Sequence, residues 1–408
     1  MNSVHFNFEG VLSQKCKAIR SSFLREILDS ADTNELISFA GGLPNPELFP
    51  VDQLKNAFDR VMSENPRTTF QYAGSQGYLP LREWIADRYF KRFNVHVSPD
   101  NILITNGSQQ ALDLVGKLFL DERDTILMEK PSYIGAIQAF SAYNVSMKQI
   151  TLENDGISIP ELTGTLLHCD PKFLYSIPNF QNPGGISYST EKRHQLAEIL
   201  MAKRLTFVED DPYGEIYFAG TGYEPVSFII PRQSILTGSF SKMISPGIRA
   251  GWMVVNDTLK PYLMKAKQGA DLHTNNVVQH LIYRFLVDYD IDEHLDKIRN
   301  HYRIQKDAML NHAYHYLPEG TQLTNPSGGM FIWAKLPYGY NTGQLLKYAL
   351  EERIIYVPGR TFFIDDEGDN CMRLNFTNST PAEIEEGMIR LKRAVDKYIK
   401  ANVSVQVF

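Results

Sequence analysis

The sequence predicts an α/β protein: a large domain with a mostly parallel sheet flanked by helices, joined to a smaller α+β domain. From residue 78 onward, short apolar runs alternate with helical patterns, which is the rhythm of βαβ units. Residues 257 to 316 then hold almost no strand signal and read as successive helices. Beyond them strands return, mixed with helices. The chain has 408 residues, 43% of them hydrophobic, which is more than one small core needs and enough to bury a large site.

Residues 15 to 29 read as an amphipathic helix. Ile37 to Pro50 follows as an extended segment containing Ala40-Gly41-Gly42-Leu43-Pro44-Asn45-Pro46, where proline removes donors and forbids helix. It is expected to cross between lobes, so residues 1–45 are assigned to an N-terminal helix and arm associated with the small domain. Residues 46–295 form the large domain. Its strands are read at Ile102-Leu103-Ile104-Thr105, Thr125-Ile126-Leu127-Met128, Phe173-Leu174-Tyr175-Ser176-Ile177, Thr206-Phe207-Val208 and Ser234-Ile235-Leu236-Thr237. A long helix from about Asp292 to Tyr316 links this domain to residues 296–408. There, strands are expected at Gly329-Met330-Phe331-Ile332-Trp333, Ile354-Ile355-Tyr356-Val357 and Met372-Arg373-Leu374-Asn375-Phe376, with helices around 343 to 351 and 380 to 399.

Bulk composition narrows the function. The charged fraction is 22% and the net charge -6, without blocks of like charge, so neither nucleic acid nor a membrane surface is indicated as partner. Cys16, Cys169 and Cys371 are too few and too widely spaced for a disulfide framework or a zinc site. The start carries Asn2, His5 and Glu9 with no apolar core, and no window reaches transmembrane length. A cytoplasmic protein with a small-molecule ligand and no metal is expected.

Ligands of open α/β sheets bind beyond the carboxyl ends of the strands, and four unusual residue sets fall at such ends. Asn106-Gly107-Ser108-Gln109 follows a strand and opens a helix to about Leu120, where free N–H groups and the helix dipole favour an anion. Pro178-Asn179-Phe180-Gln181-Asn182-Pro183-Gly184-Gly185 is a rigid strand exit able to aim an amide into a cleft. Glu209-Asp210-Asp211-Pro212-Tyr213 ends an apolar strand in three carboxylates, which need a metal or organic cation if buried, unless Glu209 and Asp211 face water. Read alone, the first is more often just a capped helix, and the second is equally well a plain turn. The fourth, Ser239-Phe240-Ser241-Lys242, is followed by Arg249 and Gly251-Trp252, an arrangement suited to holding a phosphate beside a reactive amine.

Taken in chain order with Tyr72, Tyr133 and Arg373, these sets resemble the fold-type-I pyridoxal-phosphate aminotransferases over nearly the whole chain. Phe39-Ala40-Gly41-Gly42-Leu43-Pro44 and Tyr72-Ala73-Gly74-Ser75-Gln76-Gly77 are especially similar to the branch of α-aminoadipate, kynurenine and aromatic aminotransferases. The resemblance implies pyridoxal 5'-phosphate as cofactor, with Lys242 as Schiff-base lysine and proton carrier between Cα and C4′. It assigns the cofactor's phosphate to Ser108, Gln109, Ser239 and Arg249, with Tyr72 reaching across from a second subunit of a homodimer. Asp210 would keep the ring nitrogen protonated, Asn182 and Tyr213 would bond the phenolic oxygen, and Tyr133 would stack on the ring. For the substrate it assigns Arg373 to the α-carboxylate, with Asn182 and Gly41 nearby. Arg25, in Ser22-Phe23-Leu24-Arg25-Glu26-Ile27-Leu28, resembles the reader of a side-chain carboxylate, although the same position also suits the solvated face of a helix.

The implied reaction moves an amino group from an α-amino acid of aromatic, aliphatic or aminoadipate type to a 2-oxo acid such as 2-oxoglutarate. These motifs serve β-elimination and cyclopropane-forming chemistry equally, because one cofactor supports all three. A third reading is a regulator that joins such a domain to a winged helix. Gly41-Gly42 falls too near the start to leave room for one, and the low basic charge opposes it.

Overall fold

The computed structural model describes residues 8–18 and 36–403. In chain order its strands are β1 (Ile37–Ser38), β2 (Ile102–Thr105), β3 (Thr125–Lys130), β4 (Ser146–Glu153), β5 (Gly156–Ile157), β6 (Phe173–Ser176) and β7 (Thr206–Asp211). They continue with β8 (Ser234–Ser239), β9 (Gly251–Val254), β10 (Gln322–Leu323), β11 (Phe331–Lys335), β12 (Ile354–Ile355), β13 (Val357–Pro358) and β14 (Cys371–Asn375). An eight-stranded sheet has the order β2-β9-β8-β7-β6-β3-β4-β5. Its middle is parallel, from β8 through β7, β6 and β3 to β4. β2, β6 and β8 are buried along their full length, which is why they read as unbroken apolar runs.

β9 departs from this pattern by pairing antiparallel with both β2 and β8. The cause is the short connection 240–250, which contains no crossover helix and so returns the chain beside the strand it has just left. Lys242 and Arg249 are thereby kept at the carboxyl end of β8. Neither β9 nor β4 was among the strands expected. β4 has the alternating exposure of a strand near the sheet edge, and its Ser146, Lys148, Gln149 and Thr151 dilute any apolar run.

The smaller part holds a four-stranded antiparallel sheet, β10-β11-β14-β13, with the helices Thr342–Glu351 and Pro381–Val403. The expected linking helix is Ile291–Tyr316, capped at its start by the Asp290 carboxylate on the N–H groups of Asp292 and Glu293. Of the helix expected at 15 to 29, Gln14–Ala18 is helical and the remainder lies outside the described residues. The extended segment after it is seated on the smaller sheet. β1 pairs in parallel with β12, Asn375 N–H donates to the Phe39 carbonyl at 2.8 Å, and Thr377 Oγ1 donates to the Leu43 carbonyl at 2.8 Å.

One continuous apolar cluster contains Phe39 of this arm, Ile85 and Phe240 of the larger part, and Ile298 and Leu374 of the smaller. Residues of both sheets therefore share one core. Among the described residues, no helix is long and apolar enough to cross a membrane, and no three or more His, Cys, Asp or Glu side chains are grouped so that they could hold a metal ion.

Candidate active site

The ends of β6, β7 and β8, the turn after β2 and the arm meet around a cavity of about 590 Å³. Ser108, Gln109, Tyr133, Asn182, Asp210, Tyr213, Ser239, Lys242, Arg249 and Arg373 all line it. Of the adjacent glycines, Gly42 lines the cavity. Tyr72 lies outside it, 79% exposed, with its ring edge-on to His273 at 5.7 Å. Arg25 lies outside the described residues.

Asp210 is buried at the end of β7 and accepts hydrogen bonds from Thr237 Oγ1 at 2.5 Å and Tyr175 OH at 2.9 Å. Burial pushes its pKa up to about 6, against the pull of those two bonds. It has no ion-pair partner among the described residues, so a cationic ligand atom is what would hold it ionised. The strand register places Thr237 directly opposite Asp210, and this could have been found from the sequence had β7 and β8 been aligned there.

The other acids of this run divide differently from the expectation. Glu209 does not face water. It is fully buried and accepts from the N–H groups of Val226 and Ser227 at 3.1 and 2.7 Å, and burial raises its pKa to about 7. Asp211 accepts from Asn179 Nδ2 at 3.0 Å.

Arg373 is buried on β14 and stacks over the Phe331 and Phe362 rings, 4.3 and 5.2 Å from their centroids. Its Nη1 donates to Asn182 Oδ1 at 2.8 Å and its Nη2 to the Ala40 carbonyl at 2.6 Å, while its buried Nε has no partner among the described residues. Burial pushes the guanidinium pKa down to about 10. A buried cation with an open donor and no carboxylate is arranged to receive one from a ligand. Asn182 Nδ2 in turn donates to Tyr213 OH at 3.2 Å. The loop bearing Asn182 is held by the buried Glu129, which accepts from Gln181 Nε2 at 3.0 Å and from Ser176, Tyr188 and the Ile177 N–H.

Lys242 Nζ donates to the Gly42 carbonyl at 2.8 Å. Burial, and then the charges of Arg373 and Arg249, push its pKa down to about 8. Across the cavity, Gly107 has φ +77° and precedes the helix Ser108–Phe119, which no side chain caps. A Cβ at Gly107 would lie 2.8 Å from Arg249 Nη2, so glycine is what lets the guanidinium sit over this turn. Uncapped N–H groups beside an arginine make an anion-binding corner.

Sequence reasoning passed over Tyr175, Thr237, Ser241, Arg360 and Phe363, which support or line the site. The last two reach it through packing of the smaller sheet, and no local pattern announces that.

Comparison with known proteins bears on this geometry. The sequence profile described as "Aminotransferase class I and II" matches residues 40–391. The chain belongs to the class I and II aminotransferases.

This aminotransferase is 40% identical to a 2-aminoadipate transaminase of Thermus thermophilus, over 92% of the chain and 94% of that relative. It is 36% identical to aromatic-amino-acid aminotransferase 1 of Thermococcus litoralis, over 97% and 96%. Among solved structures it superposes on LysN, the α-aminoadipate aminotransferase of Thermus thermophilus, with TM-score 0.90 and 37% identity, covering 97% of this chain and all of that one. The LysN structure contains N-(5'-phosphopyridoxyl)-L-leucine. The fold is that of the fold-type-I enzymes, and the aminotransferase's cofactor is pyridoxal 5'-phosphate. The cavity fits that group on its own chemistry: an anion corner, a buried carboxylate without a cation, and an amine of depressed pKa all line it.

Proposed function

We propose that this aminotransferase moves the amino group of an aromatic, aliphatic or aminoadipate-type α-amino acid to a 2-oxo acid such as 2-oxoglutarate, working as a cytoplasmic homodimer. Arg373 carries the reading, because its buried guanidinium presents an unused donor beside the Lys242 amine. When bound, the cofactor withdraws electrons from the substrate bond that is to break. Ser108, Gln109, Ser239 and Arg249 would hold its phosphate, Asp210 would keep its ring nitrogen protonated, Asn182 and Tyr213 would bond its phenolic oxygen, and Tyr133 would pack against its ring.

Lys242 would be the residue of covalent attachment and, once released, the base that takes the proton from the substrate's α-carbon and delivers it to the cofactor's C4′. Arg373 fixes the α-carboxylate, so that this carbon stays within reach of the amine. Gly42 closes the cavity from the arm with Gly41 behind it, and Arg25 reads a side-chain carboxylate where the substrate has one. Residues 1–45 and 296–408 act together as the smaller domain against 46–295, supported by the pairing of β1 with β12. Tyr72 is exposed, as a residue serving the partner subunit's phosphate site requires.

A donor panel of common amino acids with α-aminoadipate and kynurenine, assayed against 2-oxoglutarate, tests the reaction and ranks substrates. Ammonia and pyruvate released from an amino acid alone, without an aminated cofactor, would show elimination instead and overturn the proposal.

The depressed Lys242 pKa has its own consequence. Only the neutral amine attacks a carbonyl, and its fraction grows as pH rises through the folded-state pKa. Uptake of pyridoxal phosphate by cofactor-free protein is expected to accelerate with pH and level off above about 8, the value to which burial lowers this lysine. Stopped-flow absorbance measures this. A rate still climbing at the ordinary lysine value of about 10.4 would contradict a desolvated amine.

A further inference from the structure

We propose that Asp271, braced by the fully buried Lys267, is a positioning residue for the anion corner, acting through Asn106 on the turn that opens the helix Ser108–Phe119. The inference deepens the function proposed above and rests on its assignment of the phosphate to that corner.

Lys267 is 0% exposed, and its Nζ donates to Asp271 Oδ1 at 2.9 Å, Asp271 Oδ2 at 2.8 Å and Thr274 Oγ1 at 3.0 Å. Both charged residues lie in the helix Lys260–Asp271, behind the corner and outside the cavity lining. Desolvation makes a buried ion pair a weak source of stability, so this one calls for a use beyond holding the fold. The hydrogen bonds supply one. Asp271 Oδ2 accepts from Asn106 Nδ2 at 2.6 Å and from Gln110 Nε2 at 2.8 Å. Gln110 Oε1 accepts from the Asn106 N–H at 2.8 Å, and Thr274 Oγ1 ties the same network to the Ile104 carbonyl of β2 at 3.1 Å.

Asn106 is thus held from behind by both its side chain and its backbone N–H, while its carbonyl accepts from Arg249 Nη2 at 3.3 Å. Asparagine at a helix start ordinarily turns its side-chain oxygen onto the first N–H groups. Here the capping position is Gly107, which has no side chain to offer, and Asp271 fixes the Asn106 amide just before it. The donors of the first turn are left for a ligand anion. Lys267 neutralises the carboxylate, so a phosphate arriving in front of the turn does not meet an uncompensated negative charge behind it.

The test titrates cofactor-free protein with pyridoxal phosphate and, separately, with pyridoxal, which lacks the phosphate. Asp271→Ala is expected to weaken pyridoxal phosphate binding by about tenfold, the scale on which loss of an outer-shell partner is felt, while pyridoxal changes by less than about twofold. In an Asn106→Ala background, where Asp271 has lost its direct bond to the turn, Asp271→Ala should cost less than about twofold. Inorganic phosphate, competing with pyridoxal phosphate, should lose potency in step with it. Equal losses for both ligands would reduce Asp271 to a structural role and overturn the proposal, as would no loss for either, or full additivity with Asn106→Ala. Arg249→Ala serves as the control for the underlying assignment. If it does not narrow the preference for pyridoxal phosphate over pyridoxal, the phosphate lies elsewhere and the functional reading fails first.

Discussion

Lys242→Ala is expected to abolish transamination, with a loss of roughly four orders of magnitude or more, because nucleophile and proton carrier are removed together. The protein should fold normally, since the native amine donates one hydrogen bond, to the Gly42 carbonyl, and makes no ion pair among the described residues. Borohydride treatment of the cofactor-loaded wild type, followed by peptide mapping, should place the label on the peptide containing Lys242. The variant should bind cofactor without becoming labelled. A labelled, active variant would move the attachment to another lysine and remove the basis of the proposed mechanism.

Arg373→Lys should raise KM for every amino donor by on the order of 10- to 100-fold, the range set by losing a charge-assisted hydrogen bond. A lysine ammonium is a point charge on a flexible stem. It cannot hold Asn182 Oδ1 and the Ala40 carbonyl at the same time and still offer a planar fork to a carboxylate. Part of the loss should appear in kcat, because Asn182 also positions Tyr213. Steady-state kinetics with several donors separates the two contributions. An unchanged KM would mean that the α-carboxylate binds away from β14.

Much of this architecture was legible in the sequence, for a physical reason. Strands covered on both faces, such as β6 and β8, must be apolar throughout, and the residues at their carboxyl ends are then conspicuous by contrast. Lys242, Asp210 and Asn182 stood out in that way. β9 was hidden because Gly251 and Trp252 carry no alternation, and β4 because its exposed residues are polar. Tyr175 reaches Asp210 only through strand register, and Phe363 and Arg360 only through the packing of one sheet against another. Lys267 and Asp271 are four residues apart on a helix, a spacing that usually marks a solvated surface pair, and only the fold shows that the lysine is buried.

The return between β8 and β9 also constrains how such an enzyme can diversify. Lys242 and Arg249 sit on one stretch clamped by a strand at either end, so lengthening that stretch would move the amine and the guanidinium apart. The arm that supplies Gly42 and the segment that supplies Arg360 and Phe363 border the same cavity from outside that clamp, so a change of length in either would leave the amine and the guanidinium where they are.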